Sequence, residues 1–237
     1  RIMAYTTIDN PHKFFNTVLY TGNGTTDHAI TGVGFQPDWT WLKKRNNADD
    51  HILSDAVRGA TKYVISNSTA VEGTYAEGFK SFDSDGFTLG NANNTNQNTH
   101  TFAAWNWRAG NSSGSSNGDG SITSTVSVNT TAGFSIVSYT GTGSAATVGH
   151  GLGAVPKMFI VKNRDSTESW RVYHNALGAT KEIYLDLSNA AGTSSSSFND
   201  TEPTSSVFSV GTGNGTNKSS ENLIAYCFAE KKGYSKF

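Results

Sequence analysis

The sequence predicts an all-β chain of two tandem homologous β-sandwich domains, and three observations carry that expectation. Gly, Ser, Thr and Asn are used heavily while Leu, Lys and Glu are sparse, which suits short strands and tight turns and denies helices their best formers. Short β-branched and aromatic runs, seven or so in each half, are spaced by Gly and Asn turn signals. The chain also repeats itself. Tyr20-Thr21-Gly22-Asn23-Gly24 returns as Tyr139-Thr140-Gly141-Thr142-Gly143, Pro37 as Pro156, and Lys43-Lys44-Arg45 as Lys162-Asn163-Arg164, all at an offset of 119 residues. An ungapped offset of that kind marks internal duplication. Gly59-Ala60-Thr61-Lys62 keeps the same offset to Gly178-Ala179-Thr180-Lys181. Two residues later in register, Phe87-Thr88-Leu89-Gly90 falls on Phe208-Ser209-Val210-Gly211, and Ala104-Trp105-Asn106-Trp107 on Ala225-Tyr226-Cys227-Phe228.

In order, residues 1–13 form a lead-in, with Asp9-Asn10-Pro11 as a turn or helix-start signal and Met3 as a candidate native first residue. The first copy spans 14–109. Phe15 to Tyr20 is its first strand, and Gly22-Asn23-Gly24 supplies the positive backbone angles of a sharp turn. Trp39 and Trp41 alternate with Thr40 and Leu42, so the two pairs point to opposite faces of one strand. His51–Val57 and Lys62–Ile65 read as two more strands, broken at Arg58-Gly59-Ala60. Phe79–Phe82 and Gly86–Gly90 flank Asp83-Ser84-Asp85, an acidic turn that joins a hairpin. An Asn-rich loop, 91–100, leads to a closing strand, Thr101–Arg108. Residues 110–120 are Gly, Ser, Asn and Asp almost throughout and read as a flexible linker. The second copy spans 121–233, opening with Ser121–Asn129, where Ile and Val alternate with Ser and Thr. Gly233-Tyr234-Ser235-Lys236-Phe237 resembles Gly133-Phe134-Ser135-Ile136-Val137, so 234–237 read as the start of a third copy.

The bulk numbers exclude some classes. With 18 basic and 19 acidic residues in 237, and no block of like charge, nothing asks for nucleic acid as a partner. No apolar run nears the ~18 residues of a membrane span, so no membrane insertion is expected. Cys227 is the single cysteine and forms neither an internal disulfide nor a paired-cysteine zinc site.

Candidate chemistry is thin. Trp39, Trp41, Trp105 and Trp107 could make an aromatic platform for sugars. Their counterparts Met158, Ile160, Tyr226 and Phe228 keep bulk rather than ring chemistry, which favours core packing. Asp83 and Asp85 begin a calcium-loop spacing without its closing glutamate, and Glu202-Pro203-Thr204-Ser205 in the second copy lacks the aspartates, so a hairpin turn is the better reading. The six histidines, at 12, 28, 51, 100, 150 and 174, show no metal-ligand spacing. No nucleophile elbow or phosphate loop is present. Lys43/Lys162 and Arg45/Arg164 recur at strand ends, where basic side chains are expected to be solvated or paired with a local acid. Trp170, Arg171, Tyr173 and His174 replace His51, Ile52, Ser54 and Asp55, marking where the copies diverge. Asn23, Asn67, Asn129 and Asn214 sit in Asn-X-Ser/Thr runs, which are frequent by chance in such a composition. No catalytic, cofactor-binding or metal-binding residue is assigned, and the chain is read as no enzyme. A pocket with two carboxylates roughly 5–10 Å apart would reopen that question.

Five runs together carry a resemblance: Tyr20–Gly24, Phe35–Trp41, Ser81–Gly90, Gly149–Met158 and Ala229–Phe237. They are similar to repeat domains of uncharacterised, tail-fibre-like structural proteins of marine tailed phages, cyanophages especially. The similarity covers nearly all of 3–237 and includes the opening Met3–Asp9. That resemblance implies sandwiches of jelly-roll, lectin-like type and a place on the virion surface, reached after synthesis in the host cytoplasm. It supplies no cofactor and no activity. The expected function is that of a tail fibre or similar appendage mediating attachment or assembly. Capsid decoration and a carbohydrate-binding module on the host surface are the alternatives. Its expected partners are other virion proteins, further copies of itself, as in a trimer, whose contacts would cover sheet edges, and a host surface glycan.

Overall fold

The computed structural model describes residues 6–237, so the expectation for Met3 and the first five residues of the lead-in lie outside the described residues. The chain is mostly β, in several antiparallel sheets. Asn10 caps a 3-10 turn at Pro11–Lys13, its Oδ1 accepting from the His12 N–H at 3.0 Å, where a start signal was expected.

The chain divides into two compact units. One takes in Asn10–Asn67 and Glu72–Ser113. Its strands are β1 (Phe15–Thr21), β2 (His28–Thr31), β3 (Trp39–Lys44), β4 (Ile52–Asp55), β5 (Lys62–Ile65), β6 (Gly73–Thr74), β7 (Phe79–Asp83), β8 (Gly86–Leu89) and β9 (Thr101–Trp107). A six-stranded sheet runs β1-β9-β3-β4-β5-β6 and a three-stranded sheet β2-β8-β7. The expected Asn-rich loop holds one helical turn, α1 (Asn93–Asn96). The core draws on both sheets: Leu42, Ile52 and Ala104 from the larger, Ile30, Phe79, Phe87 and Leu89 from the smaller. Alternation along the strands delivers these residues to one face, as period two requires.

The other unit holds Gly114–Phe237, with Ser68–Val71 and residues 6–9. Its strands are β10 (Ser115–Asn117), β11 (Ser124–Asn129), β12 (Phe134–Thr140), β13 (Ala146–Gly149), β14 (Met158–Asn163), β15 (Arg171–His174), β16 (Lys181–Tyr184), β17 (Gly192–Thr193), β18 (Val207–Val210) and β19 (Asn222–Phe228). An eight-stranded sheet runs β10-β11-β12-β19-β14-β15-β16-β17, and β13 pairs with β18. From β12 onward the eight-stranded sheet matches the first unit's larger sheet strand for strand, while β13-β18 lacks a counterpart of β7. Two helical turns, α2 (Ser195–Phe198) and α3 (Asn214–Asn217), complete it. The α2 turn stands where the first copy has the start of β7, and Phe198 fills the core there at 1% exposure.

One expectation changes. The 110–120 stretch is not wholly a linker, because Ser115–Asn117 pairs antiparallel with Ser124–Val126. Hydroxyl side chains are compatible with a polar edge strand, and composition alone hid it. Gly233–Phe237 forms no strand among the described residues. Lys231 and Ser235 close a turn, and the Phe237 ring packs 5.4 Å from Phe228.

The repeated Tyr-Thr-Gly-x-Gly run has a physical reason. Tyr20 donates its hydroxyl to the Thr95 carbonyl at 2.6 Å, and Tyr139 does the same to Thr216 at 2.6 Å. Gly22 N–H donates to the His100 carbonyl at 2.8 Å and Gly24 N–H to Asn96 at 2.9 Å; Gly141 and Gly143 repeat this with Glu221 (2.9 Å) and Asn217 (2.8 Å). One fully buried asparagine completes each set. Asn96 accepts from the Asn23 N–H and donates to the Thr25 and Gly90 carbonyls. Asn217 accepts from the Thr142 N–H and donates to Ser144 and Gly211. The first turn of each copy is thereby bonded to the turn before its closing strand, about 75 residues away, and the two sheets are tied at that end.

Cys227 sits in the second core at 0% exposure, and burial pushes its thiol far above the usual range. A disulfide-exchange reagent should therefore leave the folded chain unmodified over hours and titrate one thiol per chain in guanidinium. Rapid reaction of the native protein would contradict this packing.

Candidate functional site

The aromatic quartet is not core packing as a set. Leu42 and Ala104 take the core side of β3 and β9, so strict alternation turns Trp39, Trp41, Trp105 and Trp107 to the opposite face of the sheet. Trp39 is buried, while Trp41, Trp105 and Trp107 are half-buried. Trp107 lies 4.3 Å from Trp39 and 4.9 Å from Phe15, centroid to centroid. Trp41 donates its indole N–H to His51 Nδ1 at 2.8 Å. With Nδ1 accepting, the neutral ring carries its proton on Nε2. Burial, helped by the Lys43 charge and opposed by Asp50, lowers the pKa of His51.

The acidic turn joins β7 and β8 as expected, and its carboxylates are committed to holding loops. Asp83 accepts from Ser81 (2.8 Å) and Thr88 (2.7 Å) hydroxyls, and Asp85 from the Gly32 (3.1 Å) and Gly34 (2.6 Å) amides. Among the described residues no group of three His, Cys, Asp or Glu could share a metal ion. His150 is likewise structural. It accepts from the Leu152 N–H at Nδ1 and donates from Nε2 to the Thr204 carbonyl, and burial lowers its pKa.

Of the recurring lysines, Lys162 is buried and Lys43 half-buried, and both bond backbone carbonyls. Lys43 donates to the Asp49 carbonyl at 2.8 Å, and Lys162 to the Glu168 carbonyl at 2.7 Å, the same bond at the same offset. Each ties the end of its strand to the loop that follows. Burial lowers the Lys162 ammonium to about 8, opposed by Asp186 and Glu168 and reinforced by Arg171.

Where the copies diverge, each builds its own charged cluster. In the first, Arg58 meets Asp55 at 2.5 Å and Glu72 at 3.2 Å and donates to the Leu53 carbonyl, with the Arg58 and Asp55 side chains wholly buried. The second copy has His174 and an exposed Leu177 at the Asp55 and Arg58 positions. It places Arg171 on Glu182 at 3.1 Å and over the Tyr184 ring at 4.5 Å, while Ser197 donates to Glu182 and Tyr173 to Glu202.

A further buried carboxyl, Asp38, accepts at Oδ2 from the Ala109 (2.6 Å) and Asn111 (3.1 Å) amides. Burial raises its pKa to about 6, although those amides and Arg108 pull it down. A carboxyl whose folded value exceeds its unfolded value of about 4 keeps a proton that the unfolded chain has released, so its contribution to stability falls as pH rises from about 4 to about 6. Asp38→Asn should remove that slope and raise stability at pH 7 by about 2 kcal/mol. Melting temperatures of both proteins between pH 4 and 7 check it, and parallel curves would contradict it.

One surface feature has free polar groups. Asp49, Tyr75, Asn91, Ala92, Asn93 and Asn94 line an open depression of about 350 Å³. Tyr75 is 47% exposed, and the side-chain amides of Asn91, Asn93 and Asn94 make no hydrogen bond among the described residues. The amides and the exposed ring suit a polyhydroxylated ligand, while the Asp49 carboxylate is already held by Lys44 at 2.5 Å and by the Asp50 amide. Sequence reading missed this group, because Asp49 and Tyr75 are far from 91–94 in the chain. The signal available was divergence at in-register positions: Ser194 stands at the Tyr75 position, 119 residues on, and Thr212 at the Asn91 position, 121 residues on.

The chain belongs to the family described as Domain of unknown function (DUF7483), whose model matches residues 10–237 and so runs through both copies. No curated protein and no solved structure matches the chain.

Proposed function

We propose that this family member is a structural repeat protein of a tailed-phage particle, a tail fibre or similar surface appendage, built from tandem β-sandwiches of jelly-roll, lectin-like type. The observation that carries the scaffold reading is what the two copies hold in common. Tyr20/Tyr139, Gly22/Gly141, Asn96/Asn217 and Lys43/Lys162 make matching bonds that join turns and strands, whereas the charged clusters and the surface depression differ between copies. Duplication has kept these turn and strand bonds, while the buried charged clusters and the exposed depression have diverged. Placement on a particle rests on the resemblance of the five sequence runs. Immunogold labelling of purified particles with an antibody against residues 14–109 tests it. Label on the tail is the expected result, label over the head makes the protein a capsid decoration, and particles without label overturn the virion reading.

A second reading, host-glycan contact by the first copy, is favoured by the Tyr75 depression. An aromatic contact contributes about 1 kcal/mol. Tyr75→Ala should therefore weaken a glycan found by array screening about fivefold or more, and an unchanged affinity would remove the depression from consideration.

A further inference from the structure

The two copies differ at one sheet edge. In the second, β12 is paired on both sides, by β19 and by β11. In the first, the equivalent strand β1 pairs with β9 and, among the described residues, with nothing on its other side. Gly22 N–H donates to His100 and Arg108 N–H to Phe14, so the even-numbered residues of this stretch face β9. Antiparallel alternation then directs the N–H and C=O groups of Phe15, Thr17 and Leu19 to the open edge. Among the described residues only the Thr17 N–H has an acceptor there, Asn16 Oδ1 at 3.0 Å.

Side chains register the same vacancy. Val137 and Tyr139 are 0% and 3% exposed beneath β11, whose Val126 enters the core with them. Their counterparts Val18 and Tyr20 are only half-buried, and Leu19 is 62% exposed. Edge strands are ordinarily blunted by charge, proline or shortness. Phe15–Thr21 has seven residues, no charge and no proline, whereas the second copy ends its sheet with the short polar strand β10.

We propose that the free edge of β1 is a strand-acceptor site for an uncharged extended segment with β-branched residues at alternate positions, the chemistry that Ser124–Asn129 presents to β12. Main-chain bonds to Phe15, Thr17 and Leu19 hold such a segment, and its alternate side chains cover Val18 and Tyr20 as Val126 covers the second core. Placement on a particle is not needed for this site.

The test is amide hydrogen exchange of the whole chain with and without a synthetic peptide of residues 121–131. Exchange at Thr17 and Leu19 should slow at least tenfold at saturating peptide. Thr17→Pro removes an outward N–H without touching the β1–β9 ladder, and Leu19→Lys places a charge on the edge. Each should abolish the effect while leaving native circular dichroism unchanged, and Leu19→Lys serves alone should the proline variant not fold. No peptide-dependent slowing at millimolar peptide, or equal slowing in the folded variants, overturns the proposal. So does protection that is present without peptide and grows with protein concentration, because the edge is then closed by a second copy.

Discussion

Replacing Asn217 by alanine is expected to destabilise the second copy by about 4 kcal/mol, among the largest effects of any single substitution in the chain. Its amide bonds the Thr142 N–H at 2.8 Å, the Ser144 carbonyl at 2.6 Å and the Gly211 carbonyl at 2.7 Å, from a position with no solvent exposure. Truncation leaves those three backbone groups without their partner, and each buried group so left costs about 1–3 kcal/mol before relaxation or entry of water recovers part of it. Asn217→Asp separates bonding from volume. The carboxylate keeps the acceptor but faces two carbonyls, so it should be at least as damaging as alanine. Urea denaturation followed by far-UV circular dichroism measures both. The equivalent Asn96→Ala should act similarly on the first copy, where the Asn23 N–H and the Thr25 and Gly90 carbonyls lose their partner. A loss below about 1 kcal/mol at either site would mean that the turns are held by something else.

Gly141→Ala is expected to be comparably severe for a different reason. An added Cβ would stand 2.2 Å from the Lys218 carbonyl oxygen and 2.8 Å from the Asn217 carbonyl carbon. Both are backbone atoms, so no side-chain rotation relieves the clash. The two turns must separate, breaking the Gly141 to Glu221 and Ser220 to Gly141 bonds, at a cost of about 3–5 kcal/mol. Gly22 has the same relation to the Gln97 carbonyl at 2.2 Å, so Gly22→Ala should behave alike. Gly153→Ala is the control. Its φ is +64° with open space around the added atom, so it should cost only the left-handed backbone penalty of about 1 kcal/mol. Thermal melts of the three variants should place Gly153→Ala well above the other two.

Much of the fold was legible because duplication reports constraint without an alignment. Tyr20, Gly22 and Lys43 recur because each makes a bond that its copy needs, and the offset picked them out before any bond was visible. Asn96 and Asn217 were available in the same way, as Thr95-Asn96 and Thr216-Asn217. They lie in polar runs whose composition reads as loop, so two fully buried polar residues read as surface. Strand faces were less secure. Alternation correctly split Trp39 and Trp41 from Thr40 and Leu42, but it does not say which face meets the core, and size pointed the wrong way. The smaller residues Ala104 and Leu42 take the core, and the tryptophans face away from it. The Tyr75 depression and the open edge of β1 depend on what is near in space or missing beside a strand, and neither leaves a local pattern.

One set of residues closes both copies in the same way, and native-state amide hydrogen exchange at their first turns reads this out. The Gly24 and Gly143 amides lie in turns, where fast exchange is the ordinary expectation, yet each donates to a buried asparagine's carbonyl, at 2.9 and 2.8 Å. Both should be protected to a degree comparable with β9 and β19, and far more than the exposed residues at 46–48. Exchange of either amide at the rate of 46–48, with its counterpart protected, would show that the copies are not closed alike.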